Sequence, residues 1–174
     1  FNQINESVWY VNGEQEEANF ENGGAIANIG LIIGQEACLV IDSGPSKKYG
    51  EALLKEILNI TKVPVKYLVI THRHFDHSFG LEAFAERNID IYMHPDEFRA
   101  YKTQGPKFLK LLKKNIGDDW LDGTFSFLEQ YNIIEVRDNI SLNLGSHNVE
   151  ILNFGNAHTH GDIAIFDKKT GSFF

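Results

Sequence analysis

The chain has one cysteine, one methionine and four prolines in 174 residues, and no long run of apolar side chains. A lone thiol excludes an internal disulfide and any cysteine-rich zinc finger. Cys38 lies in the apolar run 37–41, which places it in the interior as an inert thiol. No stretch approaches the roughly 20 apolar residues that a membrane-spanning helix needs, so no membrane partner is expected. Positive charge is scarce too: Lys plus Arg number 16 against 24 Asp plus Glu, for a formal charge of −8. Phosphate backbones are bound through clustered Lys and Arg, so this balance argues against a nucleic-acid partner. The one basic cluster, Lys107, Lys110, Lys113 and Lys114, reads as the solvated face of a helix.

What is present is ordinary for a folded protein: 43% hydrophobic and 23% charged residues, with thirteen Phe and six Tyr to fill an interior. The length suits one domain over residues 1–174 and is too short for two typical ones. The chain begins at Phe1 without an initiator Met, so the reading is that something upstream has been removed, by signal cleavage or otherwise.

Periodicity gives the order of elements. Residues 8–11 form a short strand ended by Asn12-Gly13, and the apolar runs 25–33 and 37–41 are joined by a hairpin-like break at 34–36. Gly44-Pro45-Ser46 stops the second run, and Ser46 is placed to cap a helix in which Tyr49, Leu53, Leu54, Ile57 and Leu58 recur at helical spacing. Pro64 opens a strand over 65–70, apolar enough for a central position buried on both faces. A short helix over 81–85 and a strand over 89–93 follow. Residues 98–116 are helical, with Phe108, Leu111 and Leu112 inward and the lysines outward, and Gly105-Pro106 predicts a break into two helices. From 133 onward the pattern is short strands, at 133–136, 140–144, 149–152 and 163–166. Strands mixed with helices, with both hairpins and crossovers, indicate an α/β or mixed α+β sandwich.

The informative segment is Thr71-His72-Arg73-His74-Phe75-Asp76-His77. Zinc takes imidazole nitrogen and carboxylate oxygen where thiolates are absent. In an extended segment, residues two apart project to the same side, so His72 and His74 can share one ion. Asp76 and His77 fall at the turn into the next helix and can reach a neighbouring ion. Ligand groups in layered α/β folds gather beyond the carboxyl ends of strands, which is where this cluster sits. A second piece, Gly155-Asn156-Ala157-His158-Thr159-His160-Gly161-Asp162, follows a strand and is flanked by small residues, and it is the natural donor of a third ligand.

With these pieces in hand the chain resembles the metallo-β-lactamase superfamily. Ile41-Asp42-Ser43-Gly44 is similar to that family's first motif, residues 71–77 to its second, and residues 157–162 to its third, in the family's order and across residues 25–166. The resemblance implies an αβ/βα sandwich with two zinc ions at one edge of its sheets. It implies that His72, His74 and His158 hold the first ion, and that Asp76 and His77 hold the second. Asp42 would orient the metal-binding loops from behind them. Asp76 would also act in catalysis, holding an attacking water in line and carrying its proton. The reaction implied is hydrolysis of a small ester, thioester, lactone or lactam, with a β-lactamase proper and an inactive metal-binding chain as alternatives. His74 stands where iron-binding flavodiiron relatives carry Glu, which favours zinc. The family also has a bridging Asp on a strand after the third motif, for which Asp162 and Asp167 are poor substitutes, and a late His that nothing after His160 supplies. The chain ends at Phe174 about where that strand should begin. The expectation is therefore a sandwich incomplete at its C-terminus, lacking roughly its final third and prone to self-association through the open edge. His77-Ser78-Phe79-Gly80 and Asp42-Ser43-Gly44-Pro45 are similar to the subgroup linked with quinoprotein and sulfur-oxidation systems, which tilts the expected location toward the periplasm or export.

The remaining candidates read as structural. His94 is expected in a loop past a strand, with cleft lining as the alternative. His160 is a candidate for supporting a ligand or touching substrate. His147 is placed in a solvent-exposed turn, and Trp9, Tyr10 and Trp120 in the core or at its rim. Gly23-Gly24 reads as a flexible turn near the site.

Overall fold

The computed structural model describes residues 1–126, 133–145 and 147–174. The first half builds a sheet in sequence order: β1 (Asn2–Gln3), β2 (Val8–Val11), β3 (Ile29–Ile33), β4 (Cys38–Ile41), helix α1 (Lys47–Ile60), then β5 (Val65–Val69). Helices α2 (Phe75–Ser78) and α3 (Leu81–Ala85) lead to β6 (Asp90–Met93), and helices α4 (Pro95–Ile116) and α5 (Asp118–Leu121) to β7 (Ile134–Glu135). These seven strands pair as β1-β2-β3-β4-β5-β6-β7, antiparallel as far as β4 and parallel from β4 to β7. The last four strands, β8 (Ile140–Asn143), β9 (Asn148–Gly155), β10 (Asp162–Asp167) and β11 (Ser172–Phe173), form a second, antiparallel sheet.

Strand alternation divides the core in two. Leu31, Cys38, Val40, Leu68 and Ile91 face α1, α3 and α4 through Leu53, Ile57, Phe84 and Leu112. Their neighbours Ile32, Leu39, Ile41 and Val69 face the second sheet through Leu142, Val149, Ile151 and Ile165. A central strand buried on both faces is what a continuous apolar run encodes. In β5, however, only the end nearest the His cluster is fully buried. Cys38 is buried, and desolvation pushes its thiol up to about 12, which fits an inert side chain.

Ser46 caps α1 as expected, its Oγ accepting from the Tyr49 N–H at 3.2 Å. Gly44 explains the tightness of this entry: its φ is +82°, and a Cβ there would stand 2.1 Å from the Tyr49 ring. Leu58, expected on the buried stripe with Leu53, Leu54 and Ile57, is 61% exposed.

The predicted break at Gly105-Pro106 does not occur. α4 runs unbroken through Pro106 over 22 residues. One missing N–H is outweighed by a buried stripe of Tyr101, Gly105, Leu112 and Ile116, and the bare Gly105 receives the Phe125 ring, whose Cζ would lie 2.4 Å from a Cβ. The inward face also differs from expectation: Leu112 is buried, but Leu111 is exposed, and Phe108 packs one side on Phe75 at 5.7 Å between ring centroids and leaves the other open. His147 is a further correction. Its side chain is buried, and Nε2 lies 3.5 Å from the buried Asp167 carboxylate across the β8–β9 and β10–β11 turns.

Ser46→Ala should lower unfolding free energy by about 1 kcal/mol through loss of the α1 cap, read as a shifted urea midpoint at constant slope. An unchanged midpoint would mean that the Ser46 hydroxyl adds nothing to this helix.

Candidate metal centre

β4 and β5 are parallel neighbours with Ile41 opposite Val69, so their carboxyl ends release Asp42 and Thr71 side by side. Asp42 leaves β4 at φ +63°, in the left-handed region where Asp is tolerated better than most residues. That turn brings its buried carboxylate under the His cluster. Oδ1 accepts from the Thr71 backbone N–H at 2.8 Å, and the Thr71 hydroxyl donates to the same carboxylate at 2.9 Å to Oδ2. Asp42 Oδ2 also meets His77 Nδ1 at 2.7 Å. Thr71 Oγ1 lies 3.0 Å from His72 Nδ1. The tautomers this network assigns put the proton of His72 and of His77 on Nδ1, leaving both Nε2 atoms free to face outward.

Segments 42–45 and 77–80 interlock beneath this layer. Ser43 N–H and Oγ–H both donate to the His77 carbonyl, at 2.7 and 3.0 Å, and Gly80 N–H donates to the Gly44 carbonyl at 2.9 Å. A Cβ on Gly80 would meet the Ser43 oxygen at 2.1 Å, so the backbones can approach only because that residue is glycine.

Three imidazoles converge above. His72 Nε2 is 3.1 Å from His74 Nδ1, and His158 Nε2 is 3.1 Å from the same atom. All three ligand atoms lie within 4.8 Å of one another and could hold a metal ion. His158 comes from the second sheet, at the end of β9, and Asp162 fixes its loop by accepting from the backbone N–H groups of His158 and Thr159 and from the Thr159 hydroxyl. Burial alone would raise the Asp162 carboxyl, but these bonds hold it below the usual carboxylate range. Asp76 and His77 stand beside the triad, with Asp76 Oδ2 3.5 Å from His77 Nε2. An open cleft of about 1160 Å³ passes Asp42, Thr71, Asp76, His77 and Asp162, which is roomy for a small molecule.

Burial, then the neighbouring His77, lowers His72 to about 4. Burial and His158 likewise lower His74. For His77 burial works against the charge, but Asp42 and Asp76 prevail and raise its pKa. Neutral imidazoles are the ligating form, so His72 and His74 are ready for a cation at neutral pH.

His94 caps α4, its Nδ1 accepting from Asp96 N–H at 3.2 Å, and packs where a Cβ on Gly161 would stand 2.1 Å from that same nitrogen. His160 is exposed and shares a shallow cleft with Arg73 and Arg99; its backbone, rather than its ring, is what the structure ties to the site. Gly23-Gly24 packs on Trp120 and Phe75, with φ +57° and +82°. Glu97 carried no sequence signal. It is buried in the first turn of α4 and bonds Arg73 and His160, whereas the sequence pattern starts that helix only at 98.

The metallo-beta-lactamase superfamily pattern matches residues 22–173. Over 87 residues the chain is 30% identical to a 7,8-dihydropterin-6-methyl-4-(beta-D-ribofuranosyl)-aminobenzene-5'-phosphate synthase of Methanocaldococcus jannaschii, covering 42% of this chain and 30% of that protein. Over 173 residues it is 26% identical to an acyl-coenzyme A thioesterase of Bos taurus, covering 91% of this chain and 60% of that protein. The chain thus spans less than two thirds of the length of either relative. Among solved structures, a metallo-beta-lactamase from Pontibacter korlensis superposes with a TM-score of 0.64 over 97% of this chain and 66% of that chain, at 18% identity, which is a likeness of fold.

In the metal-free protein His72 should titrate near pH 4 and His77 above its ordinary 6.5, as followed by histidine NMR. The two have opposite signs for stability. Below pH 6.5 the unfolded chain takes up a proton that folded His72 refuses, so its effect erodes stability as pH falls from 6.5 toward about 4. His77 adds stability that is fully present below 6.5 and is lost as pH rises through its raised value. Two midpoints at the ordinary value would contradict the geometry.

Proposed function

The chain belongs to the metallo-β-lactamase superfamily, and from that premise we propose that it is a zinc-dependent hydrolase of small esters or thioesters, with the thioester favoured. The observation that carries the reading is the meeting of His72, His74 and His158 nitrogens from two different sheets. Tetrahedral zinc with bonds of about 2.0–2.1 Å holds its ligand nitrogens roughly 3.3–3.4 Å apart. Two of the three spacings, at 3.1 Å, fall within a few tenths of an ångström of that, and all three nitrogens lie within 4.8 Å of one another, which supports the ion. A donor set of imidazole and carboxylate without thiolate supports zinc, and the acyl-coenzyme A thioesterase relative supports the thioester.

His72, His74 and His158 would hold the ion, and Asp76 and His77 would hold a second. Zinc there supplies Lewis acidity toward a carbonyl oxygen and brings the pKa of a water down to roughly 7. The chain's own contribution is positional. Asp42 fixes the ring of His77 directly and that of His72 through Thr71, so the ligating nitrogens are oriented before a cation arrives. The Asp76 carboxylate, facing the cleft, accepts a proton from the attacking water and returns it to the leaving thiol or alcohol.

A single-ion form is the second reading. Among the described residues the second position gathers Asp76 and His77, a pair where the first gathers three histidines. Zinc stoichiometry by elemental analysis separates the two readings. For either, Asp76→Asn should lower kcat for an acyl-coenzyme A or an activated ester by about 10²–10⁴-fold. Wild-type protein that retains no zinc and cleaves neither substrate would overturn the proposal.

A further inference from the structure

We infer that Glu97 is a positioning residue for the metal centre, one buried carboxylate that holds the loops carrying both sets of first-ion ligands. The inference rests on the reading that His72, His74 and His158 bind a metal. Glu97 is 1% exposed and contributes no ligand. Its Oε2 accepts from the Arg73 backbone N–H at 3.0 Å, and Arg73 lies between His72 and His74. The Arg73 guanidinium folds back onto the same carboxylate, Nη1 donating at 2.9 Å to Oε1 and 3.0 Å to Oε2. Oε1 also accepts from the backbone N–H of His160, two residues beyond His158, at 3.2 Å.

An acid in the first turn of a helix has a plainer explanation, attraction to the helix N-terminus. The bonds point elsewhere. Both oxygens serve N–H groups of the two ligand loops and the guanidinium from one of them. The same two segments also meet through the Ile163 N–H to Thr71 carbonyl bond at 3.1 Å, in the backbone where β5 has ended and β10 begins. Glu97 joins them beside the ligands themselves, so His72 and His74 cannot shift relative to His158 without stretching charge-assisted bonds in a desolvated place.

Glu97→Gln is the decisive variant. Each partner of this carboxylate is a donor, and an amide offers one acceptor oxygen while turning its own NH₂ toward a donor. It keeps the size of the side chain, so the helix packing survives where Glu97→Ala could unfold the chain. Two readouts are used. Amide hydrogen exchange of the metal-free protein should show Arg73 and His160 both exchanging faster in Glu97→Gln, with β4 and β5 unchanged. Zinc affinity by chelator competition should fall about 10–100-fold, the usual consequence of removing a group that orients ligands. The cobalt-substituted absorption spectrum should shift with it. Asp96→Asn, at the exposed neighbour paired with Arg99, should alter none of these. A folded Glu97→Gln protein with unchanged exchange at both amides, or with wild-type zinc affinity, overturns the inference. If wild-type protein takes up no zinc, the metal reading itself fails, and the exchange comparison still decides whether Glu97 holds the two loops.

Discussion

The carboxylate of Asp42 is the constraint on which the rest of the centre depends. It is buried and accepts from Thr71 N–H, Thr71 Oγ–H and His77 Nδ1–H. A charge out of water is tolerated only when its lone pairs are filled, so the surrounding backbone is held to the geometry that fills them. The parallel register of β4 and β5 delivers Thr71 to it. The left-handed turn at Asp42 costs on the order of 1–3 kcal/mol, and it aims the side chain where an extended residue could not. The close backbone crossing at Ser43 and Gly80 then fixes α2, and with it the direction of Asp76 and His77.

Much of this was legible before the structure. Spacing and residue chemistry mark His72, His74, Asp76, His77 and His158, and the structure brings them to one place. Ser46, β3 and β4 were equally readable, because a cap and a hairpin are written in adjacent residues. What stayed hidden is long-range. Pro106 reads as a break because local rules count a lost N–H and cannot weigh Phe125 settling against Gly105. His147 reads as exposed because nothing nearby in sequence announces Asp167, its partner across another turn. Glu97 is the clearest case, since its partners lie 24 and 63 residues away. His160 reads from sequence as a support for a ligand or a contact to substrate, and the structure ties its backbone N–H to Glu97.

Each ligand loop is therefore held from more than one side. The 71–77 segment rests on Asp42 from below and Glu97 from the flank, while the 157–162 loop is closed internally by Asp162 and externally by Glu97. The side chains doing the holding are acids, and the atoms they hold are mostly backbone N–H groups. A site framed this way places fixed negative charge near the candidate ligands and leaves the Nε2 atoms of His72 and His77 outside these acids' bonds.

His74 and His158 are 84 residues apart in the chain and 3.1 Å apart in space. An ion shared between them would close a loop of that length much as a covalent cross-link does. On chain-entropy grounds such a closure is worth roughly 4–5 kcal/mol against the unfolded ensemble. The two histidines belong to different sheets, so neither sheet alone can present the complete triad. The complete triad therefore exists only once the two sheets are docked, and an ion held by all three histidines would report on that long-range contact.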